Sequence, residues 1–149
     1  MSIEDLAYNA DPSEVLAIKE ELVALYNREL FEKQIYLEQT RKLEGEIVEI
    51  LKRIEEQEEK HAELLMILLS KANVKVPAFI PKIPFSEVNA PLSQAIAYDI
   101  SQEGISAKAY VAAIAKASKS LKELLIHIMG EEYAHIAILK KYFDDKAKE

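Results

Sequence analysis

Apolar residues recur at three- and four-residue steps along four long stretches of the chain, the period of a helix that buries one face. The first stretch opens at Asp11-Pro12-Ser13-Glu14, where Asp can cap, Pro suits the first helical position and Glu14 sits where a capping box needs it. It predicts a helix over about 12–42. Gly45 marks a short turn, and a second helix follows over about 45–72. Four of the five prolines then crowd into 73–91, a density no helix interior tolerates. That segment is too long for a hairpin loop, and its Val74, Val76, Phe79, Ile80, Ile83 and Phe85 suggest a crossover packed along the molecule. A third helix is expected over about 91–116. A fourth, over about 119–144, starts at Ser118 or Ser120, with Ser120 and Glu123 spaced as a capping box. Two tight helical hairpins joined by one long crossover make an all-α, antiparallel four-helix bundle in a single domain, 1–149.

Each apolar stripe is broken near its middle by a carboxylate. Leu22 and Leu25 lead to Glu29, then Glu32 and Tyr36; Ile47 and Ile54 lead to Glu58 and His61, then Leu65. Ile96 and Ile100 lead to Glu103, then Tyr110; Leu125 and Ile128 lead to Glu132 and His135, then Leu139. Residues i and i+3 stand about 60° apart around a helix and about 4.5 Å apart along it, so a Glu-x-x-His pair can reach one ion. A bare carboxylate in a core is very costly unless it is paired or coordinates a metal.

The two halves repeat. A shift of 74 residues carries Glu29 onto Glu103, Tyr36 onto Tyr110, Glu58 onto Glu132 and His61 onto His135, and apolar positions follow, as in Ile54 with Ile128 and Leu64 with Ile138. The midpoints of Glu29–Glu58 and Glu103–Glu132 fall at the two predicted turns. Each set then lies roughly 22 Å from its own turn at the helical rise, and all six residues meet at mid-bundle. Glu29, Glu58, His61, Glu103, Glu132 and His135 are the candidate metal ligands. Carboxylate and imidazole donors suit iron, with manganese the alternative. Four carboxylates neutralise two divalent ions.

Composition narrows the rest. The chain has no cysteine, which excludes disulfides, thiolate sites and iron–sulfur clusters and fits a reducing compartment. No apolar run is long enough for a membrane span or a signal peptide, so a cytoplasmic protein is expected. The net charge of −7 disfavours nucleic acid as a partner. Around the candidate site, Tyr36 and Tyr110 lie two turns beyond Glu29 and Glu103 and can hydrogen-bond a ligand carboxylate, or be ordinary core tyrosines. Glu32 is a further ligand or proton relay, although its repeat mate is Ser106. Gly104 and Gly130 each lie within two residues of a ligand, where a close helix contact or a bulge would explain them as well as chance. His127 has no repeat partner and is not expected to be a ligand; Glu59, Glu63 and Glu131 are expected to face solvent.

Through Glu29 with Tyr36, Glu58-Glu59-Lys60-His61, Glu103 with Tyr110, and Glu132-Tyr133-Ala134-His135, the chain resembles the ferritin-like di-iron carboxylate superfamily, nearest to rubrerythrin-like proteins and bacterioferritins, over about 12–143. The resemblance implies that Glu58 and Glu132 bridge two irons, that Glu29 and Glu103 are terminal carboxylates, and that His61 and His135 supply one imidazole per ion. It departs from those families in several ways, among them the lack of an evident fifth short helix like that of cage-forming ferritins. The spacing from Glu to Glu-x-x-His is about one turn shorter. Without cysteine no rubredoxin-type domain is expected. Ser106 stands where a second carboxylate of the third helix would stand. Glu59 replaces the methionine that resembles a haem ligand, so no haem is expected. The implied function is an oxidoreductase that oxidises Fe(II) with dioxygen or hydrogen peroxide, with an external electron donor and a homodimeric assembly as possible partners. Iron storage without turnover, a di-iron hydroxylase of an organic substrate and a metal-free structural bundle are the alternatives; Lys and Arg are absent from the stripes, which counts against the last.

Overall fold

The computed structural model describes residues 1–148, which form seven helices: α1 (Ile3–Tyr8), α2 (Pro12–Ala17), α3 (Lys19–Thr40), α4 (Glu46–Lys71), α5 (Phe85–Val88), α6 (Leu92–Lys116) and α7 (Lys119–Ala147). The fold is all-α. α3, α4, α6 and α7 make a ferritin-like four-helix bundle in which α3 pairs with α4 and α6 with α7. The segment between α4 and α6 is the long crossover. Gly45 opens α4 at φ +90°, a left-handed conformation that glycine adopts without a Cβ clash.

The stripes divide the core in two, with the polar residues between. One apolar cluster joins Leu22 and Leu25 to Leu64, Leu68, Leu121, Leu125 and Ile128, beside the α6–α7 turn. The other joins Ile47, Leu51 and Ile54 to Ile96, Leu139 and Tyr142, at the opposite end.

Several local expectations change. The first predicted helix is two helices, because Ile18 turns out of helical geometry at φ −127°, ψ 30° to bury its side chain. Asp11 caps α2 through Ser13 N–H at 2.9 Å, but Glu14 completes no capping box; it accepts from the Ser120 hydroxyl instead. Ser120 is therefore not the cap of α7, which begins after Ser118 without a side-chain cap. The crossover packs only in part: Val74 and Val76 lie against the core, whereas Ile80 and Phe85 are exposed. A Cβ at Gly104 or Gly130 would meet open space, so no close helix contact within the chain accounts for either glycine.

The short α1 is an addition to the sequence reading. Ser2 and Asp5 form a reciprocal capping box, and Ala7 buries itself in the first apolar cluster. α1 lies on α4 and α7, and Lys60 of α4 binds Glu4 at 2.7 Å. This cover makes two repeat mates unequal: Leu64 is 3% exposed and Ile138 46%. Leu64→Ala should then cost about 2–5 kcal/mol, and Ile138→Ala no more than about 1 kcal/mol. Urea unfolding of the two variants checks this, and equal losses would contradict the role given to α1.

Candidate metal centre

Six residues from four helices converge in the gap between the apolar clusters. Glu29 comes from α3, Glu58 and His61 from α4, Glu103 from α6, and Glu132 and His135 from α7; none is more than 2% exposed. Their side chains form two groups, Glu29–Glu58–His61–Glu132 and Glu58–Glu103–Glu132–His135. Within each group one ligand atom per residue lies within 4.8 Å of the others. Glu58 and Glu132 belong to both groups. The arrangement suits a pair of metal ions sharing two carboxylates.

The repeat holds at atomic detail. His61 Nδ1 lies 2.9 Å from Glu132 Oε1 and 3.4 Å from Glu29 Oε2. His135 Nδ1 lies 2.9 Å from Glu58 Oε1 and 3.4 Å from Glu103 Oε2. The Tyr36 hydroxyl donates to Glu103 Oε1 at 2.6 Å, and the Tyr110 hydroxyl to Glu29 Oε1 at 2.6 Å. Both tyrosines thus reach across between α3 and α6 and hold a carboxylate. Residues that are each other's repeat mates also touch: Arg28 donates to the Gln102 carbonyl at 3.0 Å, Ser106 donates to Glu32, and the rings of His61 and His135 stack with centroids 6.2 Å apart. A residue can touch its own mate only near the axis relating the halves, so a pseudo-twofold axis passes through the site.

Buried oxygens test whether this is a metal site. Glu132 Oε2 and Glu58 Oε2 have no hydrogen-bond partner, and Glu29 Oε2, Glu103 Oε2 and Glu58 Oε1 face only an imidazole Nδ1 in a geometry that makes no hydrogen bond. Such orphaned acceptors are costly. A divalent cation would satisfy them at once, and the donor set is the oxygen and nitrogen mixture that iron and manganese favour.

Without a cation, the charges must be relieved by protons. Burial, then the neighbouring carboxylates Glu29, Glu132 and Glu103, pushes Glu58 well above the usual carboxylate range. Burial, followed by the charge of Glu29, raises Glu132 to about 8. Burial opposes a charge on His61, but Glu131, Glu132 and Glu29 outweigh it and hold the imidazole protonated well above its ordinary range. Burial likewise pushes Glu29 up, and His61 pulls it below the usual value. Metal binding would displace these protons.

Other polar residues join the site. Glu32 is buried; Arg28 at 2.9 Å and Ser106 hold its Oε1, while its Oε2 has no partner. Arg28 stands one position off the stripe, so the helical period gives no sign of a cation near the core. Glu131 is not a solvent-facing residue: its Oε1 lies 3.2 Å from His61 Nε2 and 3.0 Å from His127 Nε2. Its repeat mate Gln57 meets His135 Nε2. Beyond Tyr36 and Glu103, the buried pair Gln39 and Asp99 forms a further rung between α3 and α6, with Gln39 Nε2 donating to Asp99 Oδ1 at 2.7 Å. The signal for Asp99 was its place one turn before Glu103 in an apolar stripe.

A family model described as Rubrerythrin matches residues 20–143, and the chain belongs to the rubrerythrin family. No curated protein and no solved structure matches it.

Burial raises the Asp99 carboxyl from its ordinary 3.8 to about 8, against a hydrogen bond from Gln39 that lowers it. The folded metal-free protein therefore keeps a proton that the unfolded chain releases, and this group weakens folding as pH rises from about 4 to about 8. Asp99→Asn, which can still accept from Gln39, should lose stability less steeply over that window. Thermal unfolding of the metal-free forms at several pH values checks it, and parallel curves would contradict the buried proton.

Proposed function

We propose that this member of the rubrerythrin family holds two iron ions at the centre of its bundle and oxidises Fe(II) with dioxygen or hydrogen peroxide, an external donor returning the electrons. In this reading Glu58 and Glu132, common to both groups, would hold both ions, and Glu29 with His61 and Glu103 with His135 would each hold one. The observation that carries it is the set of buried, unpartnered ligand atoms aimed into one gap.

Four carboxylates balance two divalent ions, and the tyrosine hydroxyls hold Glu29 and Glu103 in place without adding charge. Iron bound there would supply the electrons that reduce dioxygen or peroxide. The chain supplies the protons and the walls. Burial, followed by the charge of Glu103, pushes Glu32 well above the usual carboxylate range. It is thus a proton holder beside the centre, with Arg28 and Ser106 fixing one oxygen and leaving Oε2 free. The near-complete burial of all six ligands favours a small oxidant over a bulky organic substrate. Among the described residues no helix is long and apolar enough to cross a membrane.

The purified protein is expected to carry about two irons per chain, and its metal-free form, given Fe(II), to oxidise it when dioxygen or hydrogen peroxide is added. Glu58→Ala removes a residue common to both groups and should abolish the reaction. Tyr36→Phe and Tyr110→Phe should each lower metal affinity or rate about 10–100-fold. Iron analysis and stopped-flow absorbance make the measurement. Absence of bound metal at neutral pH would sink the reading, and many irons per chain in a large multimer would turn it to storage.

A further inference from the structure

The pseudo-twofold relation governs the ligand atoms and fails just outside them. His61 and His135 turn Nδ1 inward and Nε2 outward. The outer nitrogens meet residues 131 and 57, which are themselves 74 apart in the chain. One is a carboxylate, Glu131 at 3.2 Å from His61, and the other is the amide oxygen of Gln57 on His135. The same position in the two halves thus carries a formal charge in one and none in the other.

An imidazole that donates its outer N–H to a carboxylate is a stronger donor at its inner nitrogen than one that donates to a neutral amide, because the anion stabilises the positive charge drawn onto the ring by a cation. Glu131 is held for this task. It is half-buried, its Oε1 is shared with His127 at 3.0 Å, and His127 on its exposed side is screened by solvent. A further break in the repeat, Glu32 against Ser106, lies where these two mates touch near the axis, and so bears on both positions rather than on one.

We propose that Glu131 makes the two metal positions unequal: the position between Glu29 and His61 binds its ion more tightly and fills first, and the position between Glu103 and His135, backed by Gln57, fills second. This inference rests on the dimetal reading. Glu131 is a positioning residue, acting through His61.

Titration of the metal-free protein with Co(II) under anaerobic conditions, followed by visible absorbance and calorimetry, tests it. The wild type should bind two ions in two steps about tenfold or more apart. Glu131→Gln should weaken the first step about tenfold and leave the second, so that the steps merge. Gln57→Glu should tighten the second and leave the first. The double variant should show two separated steps again. Gln57 is exposed and Glu131 half-buried, so neither substitution disturbs the core, and circular dichroism establishes that each variant is folded. Two ions bound by the wild type in indistinguishable steps, or Glu131→Gln weakening both steps alike, would overturn the inequality alone. Failure of the wild type to bind cobalt would overturn the dimetal reading and this inference together.

Discussion

Placing four carboxylates and two imidazoles inside a small helical core is the constraint to which the rest of the molecule answers. Each ionised carboxylate would be very costly there unless paired with protons, cations or a metal. The metal-free chain meets the cost with protons on Glu58, Glu132 and His61. A pair of divalent ions would meet it more completely, because it would also satisfy the orphaned oxygens. The two apolar clusters on either side keep water away and so make the penalty, and hence the attraction for cations, larger.

The internal repeat solves the geometric half of the problem. Two similar hairpins facing each other across an axis bring one carboxylate from each of four helices to one height, with matching distances on both sides. The departures from symmetry carry the individuality of the chain. Gln39 and Asp99 form a polar rung whose repeat mates, Ala113 and Leu25, are apolar core residues. Glu32 faces Ser106, Glu131 corresponds to Gln57, and α1 covers one flank and has no counterpart on the other.

Much of this was legible in the residues themselves. The four stripes, the proline-dense crossover and Gly45 fix the bundle, and the ungapped shift of 74 brings the six site residues into register. What escaped has physical causes. The helical period of the first stretch runs across Ile18 with no proline or glycine to mark the break. Six residues of α1 are too few for a periodic signal, and its stability comes from packing on α4 and α7. Glu131 sits on the polar side of α7, and only the direction of the His61 ring shows that it touches the site. Arg28 was missed because its long side chain reaches back to the axis from a flanking position.

Each candidate group draws three residues from one hairpin and one from the other in the first case, or one from the first and three from the second. Each tyrosine, too, holds a carboxylate of the opposite hairpin. Neither hairpin contains a finished half-centre, and the crossover serves as a tether. Occupancy of the centre would therefore be a readout of assembly: ions could lock in place only with the two hairpins docked on each other.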